Sequence, residues 1–436
     1  MIKVFDAKSN EKKELNDKNI TMYVCGPTVY NDPHIGNMRP LLTFDVLYRL
    51  MQAQGYNVHY VHNLTDIDDK IIQRAKDMHI SEMDVAKKYG QEYFKLMEGF
   101  NVHIPEIHKV SEEMPDMIKF IQKLVDNQYA YVVDGDVYFD VRKVKNYGEL
   151  SHNKIDDLIT GVRIENEPNK RCPADFALWK KTNEGLNWDS PWSKGRPGWH
   201  TECVVMCNKY LGNQITIHGG GIDLKFPHHE NENAQNYGVN NCSLAKNFQY
   251  CGHLTVNGQK MSKSLGNVVL AKDALTKYSP NELKWFFYQK SYASPIDYSD
   301  EIMKDVKNQY DKLVNGINSF KSRYYLLKHY LPNGDPLYEQ TFLDALNDDL
   351  NFANALTIIQ SYLKTLSNVV TEKNADNLDV IYRYLLGALQ ILGINLQNKH
   401  TKDILAKLDE WNKLVSNKDY QAADAMRAQL MNDKIL

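Results

Sequence analysis

Lys260-Met261-Ser262-Lys263-Ser264, running into Leu265-Gly266-Asn267, sets two lysines and two serines ahead of a turn-forming stop. A mobile basic loop of this kind, placed just after an expected strand at residues 252–256, can grip a polyphosphate as its charge redistributes. Far upstream, Pro33-His34-Ile35-Gly36-Asn37 leaves a proline turn and enters a helix. Backbone N–H groups and the positive helix end would face an anion there. His34 adds a donor, Gly36 would let a ligand ring approach the backbone closely, and the Asn37 amide can donate a hydrogen bond although it cannot carry a proton.

A second constellation could hold a metal. Cys25 ends an apolar strand at residues 21–24, and Cys203 begins a later helix. In Phe226-Pro227-His228-His229-Glu230-Asn231-Glu232-Asn233, His228 and Glu232 are spaced to share one side of a helix. Two thiolates, an imidazole and a carboxylate suit zinc. Two rivals stay open: Cys207, on the helix face of Cys203, and His229, whose neighbour one turn on is Asn233. Upstream of this block, a strand at residues 215–217 ends in His218-Gly219-Gly220-Gly221-Ile222-Asp223. The glycines, Gly220 among them, would admit a ribose, and Asp223 would face either that nucleoside or the group joined to it.

The elements that must position these residues alternate through the first hundred positions. A helix is expected at residues 40–54, where Leu41, Phe44, Leu47, Leu50 and Met51 recur at helical spacing, followed by a strand at 57–62. That strand runs into the polar stretch Asn63-Leu64-Thr65-Asp66-Ile67-Asp68-Asp69-Lys70, with a helix opening at Ile71. Polar residues at the carboxyl ends of strands are the grammar of a parallel α/β sheet. Short strands, such as one at 136–141, and polar turns mark residues 110–197 as an α/β insertion, closed by Gly195-Arg196-Pro197-Gly198. The expected division is a Rossmann-like catalytic domain in two halves, 1–109 and 198–248, around that insertion, then a region carrying the lysine loop, 249–304, and a helical bundle, 305–436. Helices are expected at 302–325, 338–350, 353–370, 378–392 and, in pieces, 404–430.

At 436 residues, with 43% hydrophobic and 25% charged residues and a net charge of −3, the chain is long enough for two or three domains. It has no apolar run long enough to span a bilayer and no signal peptide, which excludes a transmembrane helix and points to the cytoplasm. Its six cysteines therefore read as reduced thiols.

The 33–37 and 260–264 blocks together resemble the signature pair of class I aminoacyl-tRNA synthetases. Tyr23-Val24-Cys25-Gly26-Pro27-Thr28-Val29-Tyr30, residues 63–70, Gly198-Trp199-His200-Thr201-Glu202-Cys203 and residues 218–232 resemble cysteinyl-tRNA synthetases in particular, over nearly the whole chain. The resemblance implies cysteine activation with ATP, accompanied by magnesium, and transfer to tRNA(Cys) by a monomer. It gives His34, Lys260 and Lys263 the stabilisation of the transition state at the α-phosphate. It gives one zinc to Cys25, Cys203, His228 and Glu232, and the cysteine pocket to Gly26, Thr65 and Trp199. Zinc answers a selectivity problem: cysteine and serine differ by one atom, and ordinary pockets separate such pairs by only ~1–3 kcal/mol, whereas a soft thiolate outcompetes a hydroxyl for the metal.

The chain departs from the family pattern twice. Asn37 stands where a second histidine is common, which suits positioning and not proton transfer. The helical end resembles an anticodon-binding bundle at Asn347-Asp348-Asp349-Leu350-Asn351-Phe352 and at residues 418–427, but stops at Ile435-Leu436 without the usual tail containing Gly and a Trp-Arg pair. Two other readings compete: a paralogous cysteine ligase with an amino-sugar acceptor, whose Ala/Arg-rich composition is unlike this chain, and a catalytically inactive module on the same fold.

Overall fold

The computed structural model describes residues 1–153, 169–262 and 265–436. Lys263 lies outside the described residues. A hairpin of β1 (Lys3–Asp6) and β2 (Glu11–Glu14) precedes β3 (Asn19–Val24). Helix α1 (Ile35–Ala53) crosses to β4 (Asn57–Leu64); α2 (Asp69–Met78) and α3 (Glu82–Gly99) then lead to β5 (Glu106–Lys109). The insertion contains α4 (Met114–Asp126) and an antiparallel sheet of β6 (Ala130–Val133), β7 (Asp136–Phe139), β8 (Phe176–Lys181), β9 (Trp188–Asp189) and β10 (Lys194–Pro197), in the order β6-β7-β8-β10-β9. The chain then runs through α5 (Thr201–Met206), β11 (Ile215–Gly221), α6 (Glu230–Asn240) and β12 (Ala245–Cys251).

The central sheet is parallel, with order β12-β11-β3-β4-β5. From β3 the chain proceeds outward to β4 and β5 on one side, and β11 and β12 fill the other. The strand order reverses between β3 and β11, and the crevice at their carboxyl ends is where open α/β sheets bind ligands. Cys25 follows β3 directly, and His218 to Gly221 form the end of β11.

The structure shifts two expected boundaries, and each shift has a local cause. Helix α1 starts at Ile35, ahead of Pro40, which lies inside it. Proline lacks an N–H and crowds the preceding turn, so sequence alone favours a start at Pro40. The first turn is instead closed by Asn37, whose side-chain oxygen accepts the His34 backbone N–H at 3.0 Å. The glycine run belongs to β11 and does not follow it. A methyl at Gly219 would stand 2.2 Å from Phe44 Cζ, so the missing side chain makes room for α1 against the sheet.

Strands β13 (Leu254–Val256) and β14 (Gln259–Lys260) lead to the lysine loop, and α7 (Ala271–Lys277) follows it. Then come α8 (Pro280–Phe287), β15 (Ile296–Tyr298), α9 (Asp300–Lys328), α10 (Gln340–Asn347), α11 (Phe352–Leu366), α12 (Ala375–Ile391), α13 (Lys402–Ser416) and α14 (Tyr420–Asn432). One structural unit comprises residues 1–254, 260–277 and 292–295; the other comprises 255–259, 278–291 and 296–436. The second unit has its own core: Tyr288 stacks on Phe352 with ring centroids 4.8 Å apart, and Leu408, Leu430 and Ile435 form a buried cluster.

Candidate metal centre and nucleotide site

Cys25 Sγ lies 3.7 Å from Cys203 Sγ and 3.8 Å from Glu232 Oε1. His228 Nε2 lies 3.6 Å from Cys203 Sγ and 2.7 Å from Glu232 Oε1. The edge of a tetrahedron is roughly 1.6 times its ligand distance, so two zinc-bound thiolates stand ~3.7 Å apart. Each position follows from local structure. Cys25 is delivered by a central strand and Cys203 by the first turn of α5. His228 and Glu232 are one turn apart where the chain winds into α6.

A second set of donors, Cys25, His218, His229 and Glu232, is also gathered within 4.8 Å. The two sets share Cys25 and Glu232, so His229 remains a geometric rival. Chemistry favours the set with two sulfurs for zinc. His218 Nε2 meets Glu232 Oε2, the carboxylate oxygen that faces away from His228. His218 also stacks on His229 at 4.0 Å between centroids, and His229 Nδ1 lies 3.0 Å from the Tyr250 hydroxyl. His218 is thus placed to orient the carboxylate from behind, as outer partners of metal ligands do, whereas His229 Nε2 lies 3.3 Å from Cys25 Sγ. Cys207 is buried and belongs to neither set.

The four donors are strongly coupled to one another. Burial opposes charge on Glu232, yet facing histidines, His228 first, hold its carboxyl well below the usual range. Burial likewise opposes charge on His228, yet Glu232 lifts it well above the ordinary histidine value. Burial, then the adjoining Cys203 sulfur, pushes the Cys25 thiol well up. A bound dication inverts this balance by favouring thiolate and neutral imidazole. The donor set therefore fits zinc. Above it, the Trp199 ring stacks on His228 at 4.6 Å between centroids and remains 42% exposed, so it forms a rim and not core. The neighbouring His200 holds φ 125°, a strained backbone for a residue with a side chain, at the entry to α5.

The two phosphate-directed blocks meet in the same unit. His34 pairs with Leu270 as an antiparallel bridge: Ile35 N–H donates to the Val269 carbonyl at 2.9 Å, and Ala271 N–H to the Pro33 carbonyl at 2.9 Å. A methyl at Gly36 would lie 3.3 Å from Met261 Cε, so Met261 of the lysine loop rests over that glycine. Asn267 closes the base of the loop, accepting from Ser262 N–H at 2.8 Å and donating to the Lys260 carbonyl at 3.1 Å. Arg39, 1% exposed, reaches from α1 to the carbonyls of Gly252 at 2.8 Å and His253 at 3.3 Å. Both ends of the segment bearing the loop are thus fastened to α1 and the turn before it.

Comparison with known proteins decides what this crevice belongs to. Residues 11–308 match the family model described as the class I (C) tRNA synthetase catalytic domain. The chain is 46% identical to a cysteine–tRNA ligase of Malacoplasma penetrans, with all of both chains aligned. It is 40% identical to one of a Geobacillus strain, over 98% of this chain and 95% of that one. The chain belongs to the cysteinyl-tRNA synthetase family. Among solved structures, Mycobacterium tuberculosis methionyl-tRNA synthetase in complex with methionyl-adenylate shares the fold, with TM-score 0.62, 12% identity and coverage of 90% and 91% of the two chains.

In this synthetase the singled-out residues that are described gather near the carboxyl edge of the sheet. Cys25, Gly26 and Thr65 follow adjoining strand ends, and Cys203, His228 and Glu232 gather around Cys25. His34, Gly36 and Asn37 stand at the start of α1, with Lys260 exposed at the base of its loop. Asp223 is exposed beside Gly221, with Oδ1 2.4 Å from where a Gly221 methyl would sit. Sequence reasoning missed Arg39, Asn63, His218 and Asn267. Arg39 had a legible signal, a charge among the apolar residues of a buried helix. His218 had none, because its partner Glu232 lies on α6 and meets it only in the fold.

Proposed function

We propose that this synthetase is a cysteine–tRNA ligase whose specificity comes from zinc on Cys25, Cys203, His228 and Glu232. The cysteine carboxylate attacks the α-phosphorus of ATP, and the bond to pyrophosphate breaks, giving cysteinyl-AMP. A terminal ribose hydroxyl of tRNA(Cys) then attacks the acyl carbon, and AMP leaves. When bound, zinc would supply a soft site that a cysteine thiolate occupies and a serine hydroxyl does not.

The remaining work is positioning and charge. His34 and the α1 N-terminus face the phosphates, and Lys260 and Lys263 hold the departing pyrophosphate, with magnesium arriving on ATP. Asn37 already spends its oxygen on the His34 N–H, so its amide nitrogen is the side that can donate to nucleotide. Gly26 and Thr65 border the amino acid, Trp199 walls the thiol, and Gly220 and Asp223 border the nucleoside. We further assign the enzyme to the cytoplasm as a monomer; no described helix is long and apolar enough to cross a membrane.

The observation that carries the reading is the convergence of Cys25, Cys203, His228 and Glu232, with donor atoms within 4.8 Å of one another, where β3 ends. Transfer of labelled cysteine to purified tRNA tests it. Charging with cysteine and not with serine supports the reading. Cysteine-dependent pyrophosphate exchange without tRNA charging would move the acceptor to a small amine, and no exchange at all would leave an inactive module.

A further inference from the structure

The segments 24–30 and 62–66 run side by side past the metal centre, and one buried side chain joins them. Asn63 is 1% exposed. Its Oδ1 accepts the Gly26 backbone N–H at 2.7 Å, and its Nδ2 donates to Thr65 Oγ1 at 2.9 Å. The backbones are close as well. Thr28 and Thr65 form a parallel bridge, Thr65 N–H donates to Pro27 O at 3.2 Å, and Val29 N–H donates to Thr65 O at 3.1 Å. A methyl at Gly26 would lie 1.7 Å from the Asn63 carbonyl oxygen, so this approach requires glycine.

The hydrogen bonds fix the orientation of the carboxamide. A backbone N–H can only donate, so Oδ1 must face Gly26, and the amide nitrogen must then face Thr65. The Thr65 hydroxyl is obliged to accept from Asn63, which uses one lone pair and leaves its hydrogen and its other lone pair for a ligand. Accepting a hydrogen bond also polarises a hydroxyl and strengthens it as a donor. The neutral carboxamide offers an acceptor to one neighbour and a donor to the other from two separate atoms. A carboxylate would keep the bond to Gly26 and turn the Thr65 hydrogen inward, away from substrate.

We propose that Asn63 is a positioning residue for cysteine, fixing the direction of the Thr65 hydroxyl and the Gly26 peptide beside Cys25. The proposal rests on the reading that Thr65 borders the amino acid, and a double-mutant cycle separates the two. Cysteine-dependent pyrophosphate exchange is measured for the full chain and for Asn63→Asp, Thr65→Val and the double variant. Rates are normalised to active sites counted from the burst of adenylate, so that a partly folded preparation does not count as slow chemistry.

Asn63→Asp is expected to raise KM for cysteine, lowering kcat/KM for cysteine by roughly tenfold to a hundredfold, the range for a misdirected buried hydrogen bond. KM for ATP and zinc content should stay at wild-type values. In the Thr65→Val background the same change should cost less than about twofold, because the group through which it acts is gone. Equal losses in both backgrounds would overturn the proposal, as would a normal Asn63→Asp enzyme beside an impaired Thr65→Val enzyme. A normal Thr65→Val enzyme would overturn the pocket reading itself, and the proposal with it.

Discussion

Cys25 and Cys203, 178 positions apart in the chain, hold their sulfurs 3.7 Å apart at the carboxyl edge of the sheet. That separation matches the edge of a zinc–thiolate tetrahedron, and it sets Cys203, rather than Cys207, beside Cys25 as the second thiol of the proposed centre. Cys203→Ser is expected to abolish stoichiometric zinc and lower kcat/KM for cysteine together. Cys207→Ser, changing a buried thiol outside the cluster, should keep the zinc. Metal analysis of the two purified variants checks this, and retained zinc in Cys203→Ser would favour the histidine-rich set.

His218 meets the far oxygen of Glu232, so it should tune the centre without being a ligand. His218→Asn is expected to weaken zinc affinity by roughly tenfold to a hundredfold, as outer partners of metal ligands do. Competition with a chromophoric chelator measures that affinity. Unchanged affinity would reduce His218 to packing.

Arg39 and Asn267 should govern the lysine loop and leave amino-acid binding alone. Arg39→Met removes the donors to the Gly252 and His253 carbonyls, and Asn267→Ala opens the loop base. A displacement on the order of 1 Å at reacting groups costs about a hundredfold in rate. Both variants are expected to lose kcat in pyrophosphate exchange while KM for cysteine stays within about twofold. A parallel rise in that KM would show general damage to the fold.

Gly219→Ala tests the packing of α1. The added methyl would overlap Phe44, and overpacking of a well-filled core costs roughly 1–3 kcal/mol. Thermal unfolding should show the loss, and pairing the change with Phe44→Leu should recover part of it.

Acid should destabilise the fold through two histidines. Burial, the dominant influence on each, lowers His62 to about 4 and His400 to about 4, from an ordinary value of 6.5. Above pH 6.5 the folded and unfolded chains both hold these rings neutral, and stability is complete. Between pH 6.5 and 4 the unfolded chain binds protons that the folded chain refuses, so stability falls as pH falls, with a slope of at most ~1.4 kcal/mol per pH unit for each histidine. Denaturant melts across that window check the sign, and His400→Gln should flatten the slope.

The sequence made the sheet legible because its signals are local: apolar strands end in polar residues, and helical spacing fills the gaps. The metal quartet was legible only in part. His228 and Glu232 declare a shared helix face by spacing, whereas Cys25 and Cys203 are brought together by the reversal of strand order between β3 and β11. The start of α1 was hidden because Pro40 opposes a helix locally, while the burial of Ile35 and Met38 that favours the helix ahead of it shows only in the fold. The glycines after His218 suggested room for a ligand, yet Gly219 makes room for Phe44, a partner separated from it by the whole insertion. Asn63 looked like one polar residue in a polar stretch; its bonds to Gly26 and Thr65 appear only when β3 and β4 lie side by side.

X-ray absorption at the zinc edge of the purified protein, with and without cysteine, tests the central claim most directly. The account predicts about one zinc per chain with two sulfur neighbours, gaining a third sulfur when cysteine is added and none when serine is added. A zinc shell that cysteine leaves unchanged, in an enzyme that still activates cysteine, would contradict it.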